Sequence, residues 1–260
     1  MSGFSAEWLS AREPADRRSR DPALLRAVAD FLARYEAPLV VDLGCGTGAL
    51  GRALDPHLTR PVRFRLVDGD PALLAEAEAR STRPAETVRA DLAHDLSAIE
   101  GARLVTASAL LDLVSEAWLD RLVAAVDAAK AGFYAPLSYD GRIAWRPAHP
   151  LDAPVLDGFN RHQRTGKGFG PALGPEAAAF AAARFRRAGY SVSIADSPWR
   201  LGRADHALIV ALARGIARAA GEIGGLPPAA IEDWLAFRLA HREEGAVVIG
   251  HQDVLAVAVG

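Results

Sequence analysis

The sequence predicts an α/β protein with a doubly wound, mainly parallel sheet, and three observations predict it. Strand-like and helix-like segments alternate along the chain, as parallel pairing requires, because each crossover needs an intervening helix. Leu39–Leu43 is an apolar run with two valines, too short for a helix, that stops at a glycine and gives way to helical character at Ala49, Leu50, Arg52, Ala53 and Leu54. One strand–helix unit later, residues 62–68 alternate in polarity and end on Asp68, as a strand does when its end points at a ligand.

Composition narrows the function. The chain has 260 residues, 50% of them hydrophobic, enough to bury a sizeable core. No apolar run reaches membrane-spanning length, and the first residues lack the basic and apolar regions of a signal peptide, so a cytoplasmic protein with no membrane partner is expected. The net charge of −2 gives no bulk attraction to nucleic acid. A single cysteine, Cys45, excludes an intramolecular disulfide and a cysteine-cluster metal site, and no metal is expected.

The turn after the first strand carries the most information. Gly44, Gly46 and Gly48 let the backbone take positive φ and let a ligand approach where a Cβ would clash, so a side chain at Gly46 is expected to strike the ligand. They lie between a strand end and a helix N-terminus, where free N–H groups attract anionic groups. Gly46-Thr-Gly48-Ala-Leu-Gly51 also passes as the G-x-G-x-x-G of dinucleotide binding, which would make the protein an NAD(P)-dependent oxidoreductase. Asp42 opposes that reading: a carboxylate two residues before the first glycine repels a pyrophosphate and suits a cationic ligand.

The full pattern Asp42-Leu-Gly44-Cys-Gly46-Thr-Gly48 resembles motif I of the class I S-adenosylmethionine-dependent methyltransferases. The resemblance, which covers the chain from about residue 20 onward, implies a Rossmann-like seven-stranded sheet with the last strand antiparallel; no linker divides the sequence, so one domain over residues 1–260 is expected. It implies S-adenosylmethionine as cofactor and S-adenosylhomocysteine as product, with Asp42, Gly44, Cys45, Gly46 and Gly48 around them. Only this turn matches sharply; the later motifs agree in spacing. A non-catalytic cofactor-binding protein is a further alternative.

The remaining elements follow in order. Residues 5–35 read as two helices, broken at Glu13-Pro14 and restarted at Asp21-Pro22, and residues 1–36 are expected to form a helical lid. The resemblance gives Arg20, just before the second helix, the methionine carboxylate, which a guanidinium matches bidentately. Asp68, with Gly69 beside it, stands where an acid accepts both ribose hydroxyls, while Asp70 before Pro71 reads as a helix cap. Residues 87–92 look like a third strand and its exit, where the resemblance gives Asp91 the adenine amine and Leu92 the ring; Asp95 is the alternate. Residues 102–108 read as the fourth strand, with Ala107 in the segment that follows the cofactor into the active site. No Asn/Asp-Pro-Pro-aromatic motif and no cysteine pair is present, which counts against a nucleobase substrate.

Residues 131–136 read as the fifth strand. Beyond them, Asp140-Gly141 suggests a hairpin turn, and residues 137–173 are expected to cover a small-molecule acceptor. Asn160, Arg161, His162, Gln163, Arg164 and Lys167 gather there and suit an anionic one. His162, helped by Tyr139, is the candidate general base. A strand at 190–195, two inserted helices within 205–243, and a last strand from 246–250 and 254–259 complete the chain, with His251 expected to be buried rather than catalytic. Oligomeric state is not legible.

Overall fold

Every residue of β1 (Leu39–Leu43) is buried, which fits a strand with neighbours on both edges and helices on both faces. The computed structural model describes residues 4–258; residues 1–3 of the expected lid and Val259 of the expected last strand lie outside it. β1 pairs in parallel with β2 (Arg63–Asp68) and β4 (Leu104–Thr106), β2 with β3 (Ala85–Arg89), and β4 with β5 (Gly132–Arg146). The last strand, β8 (Ala246–Ala258), runs antiparallel between β5 and β6 (Tyr190–Asp196), giving the order β3-β2-β1-β4-β5-β8-β6. An eighth strand, β7 (Trp199–Leu201), pairs with the outer part of β8 and corrects the expected seven.

The helices fall where the apolar faces of the strands require them. On one face α2 (Pro22–Leu32), α3 (Ala49–Leu54) and α4 (Pro71–Ala79) cover Val40, Phe64, Leu66 and Tyr134. On the other, α5 (Glu116–Ala128) and α7 (Ala177–Arg187) cover Val41, Leu43, Val105 and Phe133. Asp21 and Asp70 cap α2 and α4, accepting from Leu24 N and Ala72 N at 2.8 Å each, with proline in the first turn of each helix.

Two expectations fail for stated reasons. The first helix, α1 (Ala6–Ser19), runs through Pro14, held at its start by the Ser5 cap and along its length by Arg12 on Asp16 and Arg17 on Glu13. The Asp140-Gly141 pair makes a bulge rather than a hairpin: β5 continues to Arg146, and its register with β8 slips between Tyr139 and Ile143, where Gly141 takes φ +88°. A positive-φ glycine serves a bulge as well as a tight turn. β5 and β8 therefore leave the sheet together as a ribbon, on which α6 (Asp152–Gln163), α8 (His206–Ile223) and α9 (Pro228–Ala240) are stacked.

A buried acid fixes this departure. Asp253, fully inside, accepts from Leu137 N (2.9 Å), the Tyr134 hydroxyl (3.0 Å) and Asp21 N (3.0 Å), tying β5, β8 and the start of α2. It holds Leu137 at φ +63°, in the first register slip of β5. Asp253→Ala would strand three donors, so we expect a loss on the order of 3 kcal/mol or more in urea unfolding. A loss below about 1 kcal/mol would contradict this role.

Candidate functional site

The order of the sheet reverses at β1, with β2 on one side and β4 on the other, and a cavity of about 450 Å³ opens there at the carboxyl ends of the strands. Its floor is the glycine turn. Gly44 and Gly46 take φ +64° and +54°, and the bend is pinned from the next strand: Cys45 N donates to Val67 O (3.1 Å) and Gly46 N to Asp68 Oδ2 (3.0 Å). Asp68 Oδ1 accepts from Asp70 N (3.0 Å), so the acid organises two loops at once.

Two opposite charges line the cavity without full partners. Asp42 is 1% exposed; its Oδ1 accepts from the Thr106 hydroxyl (2.8 Å), and its Oδ2 has no partner among the described residues. Burial pushes its carboxyl up to about 7, although the Thr106 bond and the Arg20 charge work against the rise. Arg20, 4% exposed, caps the end of α1 and donates from Nη2 to the Ser108 hydroxyl (3.1 Å), while its Nε and Nη1 find no acceptor among the described residues. Buried polar groups left this way are costly. The Thr47 hydroxyl, also buried and without a partner among the described residues, stands in the same wall.

Helix α1 roofs this floor with Leu9, Arg12 and Asp16. A Cβ on Gly46 would sit 2.9 Å from Leu9 Cδ1, so a side chain there meets the roof even before any ligand. Arg12 is neutralised by Asp16 (Nε to Oδ2, 3.0 Å), whose Oδ1 also accepts from Trp199 Nε1 (3.0 Å). The helix is latched by Glu13, which takes Arg52 on both oxygens (2.8 Å each) and Arg80 on Oε2 (2.7 Å). Burial alone would raise the Glu13 carboxyl, but the two guanidiniums more than offset it and hold it at about 2.

No family model matches the sequence, and no curated protein matches it. Solved structures do. The YcgJ protein from Bacillus subtilis is 15% identical over 92% of this chain and 98% of its own, with a TM-score of 0.52. The cyclopropane synthase MmaA2 from Mycobacterium tuberculosis is 11% identical over 97% and 94%, also at 0.52. The mycolic acid cyclopropane synthase CmaA1, solved with SAH, is 12% identical over 90% and 83%, at 0.50. The chain has the class I S-adenosylmethionine-dependent methyltransferase fold.

Within this methyltransferase fold the structure sorts the residues expected from the sequence. Arg20, Asp42, Gly44, Cys45, Gly46, Asp68, Gly69 and Leu92 line the cavity. Cys45 is buried there, and burial pushes its thiol up, so it is a small wall residue rather than a nucleophile. Gly48 does not line it: at φ +76° it caps α3, and a Cβ would touch Ala77 of α4 at 3.4 Å, so its smallness serves helix packing. Ala107 is wholly buried with its N–H on Tyr134 O, and Ser108, Ala109 and Leu110 take its place.

Asp91 turns to solvent, where its carboxylate accepts from Ala93 N (3.1 Å) and pairs with His94, and Asp95 is spent on Ser97 N (2.8 Å). β3 ends at Arg89, earlier than expected, so both acids belong to the following turn. Neither base candidate reaches the cavity. The Tyr139 hydroxyl donates to Asn160 Oδ1 (2.8 Å) inside the ribbon core, and burial pushes it far up; His162 lies between Glu222 and Lys167. Arg161 and Arg164 point away, onto Asp157 and the Asn160 carbonyl, whereas Lys167 and Phe169 line the cavity. His251 is buried, as expected, and burial pulls its imidazole down to about 4.

Glu13 has an ordinary value of 4.5 and a folded value of about 2, so its contribution is complete above about pH 4.5 and is lost as pH falls towards 2. Glu13→Gln should release α1 at neutral pH, and amide exchange across residues 6–19 should accelerate about tenfold or more while β1 stays protected. Unchanged exchange would remove Glu13 from the latch.

Proposed function

We propose that the protein transfers the methyl group of S-adenosylmethionine to a small-molecule acceptor that carries an anionic group. The observation that carries this reading is the pair of incompletely satisfied charges in one cavity. Among the described residues Asp42 Oδ2 lacks a donor and Arg20 Nε and Nη1 lack an acceptor, which is the complement of an ammonium and a carboxylate on one α-carbon. A dinucleotide would bring its diphosphate to the glycine turn, where the Asp42 carboxylate repels it. Asp68 uses each carboxylate oxygen once, leaving lone pairs for the two ribose hydroxyls. Ala90, Leu92 and Leu110 offer an apolar slot for the adenine.

S-adenosylmethionine supplies a methyl group on cationic sulfur, already activated towards a nucleophile. The protein's task is to hold the acceptor in line at about 3 Å, a positioning effect on the order of 7–11 kcal/mol, and α1 excludes water from the path. With His162 and Tyr139 outside the cavity, neither touches the reacting atoms.

Calorimetry tests the reading: S-adenosylhomocysteine should bind and NAD should not. Asp68→Ala should weaken S-adenosylhomocysteine about 10- to 100-fold, as loss of charge-assisted bonds does; unchanged affinity would remove Asp68 from the ribose site. In the protein alone Asp42 keeps its proton up to about pH 7 and must release it to face an ammonium. Affinity should therefore fall as pH drops below about 7, by at most about tenfold per pH unit, and Asp42→Asn should flatten the profile. A pH-independent affinity between 5 and 8 in the parent protein would sink the Asp42 assignment.

A further inference from the structure

Lys167 reaches the cavity from a loop whose shape is fixed. Gly166 and Pro171 close its neck by an antiparallel bridge. Phe169 anchors its tip, bridging to Val114 and packing edge-on against Trp118 with ring centres 5.4 Å apart. Between these points Lys167 Nζ lies 3.1 Å from His162 Nδ1, and His162 Nε2 lies 3.0 Å from Glu222 Oε2. An ammonium has no lone pair, so Nδ1 accepts from it, and the imidazole proton sits on Nε2 and is donated to Glu222. The ring nitrogen therefore holds the lysine without cancelling its charge at short range, and two of the three N–H donors of Lys167 find no other partner among the described residues.

The other cations near the site are differently engaged. Arg12 is paired with Asp16, Arg161 with Asp157, and Arg164 with the Asn160 carbonyl and Glu176. Arg20 faces Asp42 at the far end of the glycine turn. On the Lys167 side the wall is apolar, formed by Leu113 and Phe169. A fixed ammonium next to an apolar wall suits a ligand with one anionic head and a hydrophobic body.

We infer that Lys167 is the anion subsite of the acceptor, receiving a carboxylate or phosphate head whose apolar body lies along Leu113 and Phe169, and that His162 and Glu222 are positioning residues for it. This rests on the reading of the glycine-turn end as the S-adenosylmethionine site and adds the acceptor's end. His162, expected from the sequence to be a base, acts here through the lysine and touches no reacting atom.

The chain has two lysines, and the other, Lys130, is exposed on Asp127, so lysine 13Cε labelling gives an internal control. With the protein saturated in S-adenosylhomocysteine, benzoate or inorganic phosphate should shift the Lys167 signal saturably and leave Lys130 still, while benzyl alcohol shifts neither. Which anion does so names the head group. His162→Phe should weaken that anion about fivefold or more without changing S-adenosylhomocysteine affinity, and Lys167→Arg should retain binding that Lys167→Met abolishes. Imidazole 15N shifts should place the His162 proton on Nε2, a signature that a merely structural histidine would not lose in Lys167→Met. Equal shifts of both lysines, no saturable shift, or an equal response to benzyl alcohol would overturn the subsite. So would a Lys167→Met variant that loses S-adenosylhomocysteine, since the lysine would then serve the cofactor. If the parent protein binds no S-adenosylhomocysteine, the cofactor reading fails, and the same titration without it still reports on the lysine.

Discussion

The site depends on one electrostatic constraint: a carboxylate placed at the end of the central strand, 1% exposed, with one oxygen unpaired among the described residues. A buried acid without a cation is expensive, and Asp42 shows the strain in a carboxyl that burial drives up to about 7. The strand cannot relieve it by turning, because β1 is paired on both edges and Thr106 holds Oδ1. The glycine turn is arranged around that acid, Asp68 fixes the turn, and Arg20 supplies the complementary charge from the end of the roof helix.

The roof is the second constraint. Helix α1 has little intrinsic reason to lie over the turn, since few of its side chains are buried and it contains a proline. Ion pairs hold it instead: Glu13 to Arg52 and Arg80 on the sheet side, and Arg18 to Asp205 at the start of α8 (2.7 Å). The roof is thus fastened by charge rather than by a wide apolar face, and its main pair, Glu13 with Arg52, is itself shielded from water.

Much of the fold was legible because its signals are local. The strand at 39–43, the positive-φ glycines and the Asp-Pro starts of α2 and α4 each depend on a few neighbouring residues, and each stands where the sequence places it. What the sequence hid is set at long range. α1 docks over the turn because Glu13 finds partners in α3 and after α4, and Asp140-Gly141 bulges because β8 continues beside it. Asp91 faces solvent because β3 stops at Arg89, and His162 turns to Glu222, a residue 60 positions away. The roof residues Leu9, Arg12 and Asp16 carried no motif at all; only the docking of α1 brings them to the cavity.

A crystal structure of the protein grown with S-adenosylhomocysteine tests the central claim most directly. The account requires the ligand's ammonium to lie on the Asp42 side of the glycine turn and its carboxylate to meet Arg20. An amino-acid end placed elsewhere, with Asp42 Oδ2 still unpartnered, would contradict it.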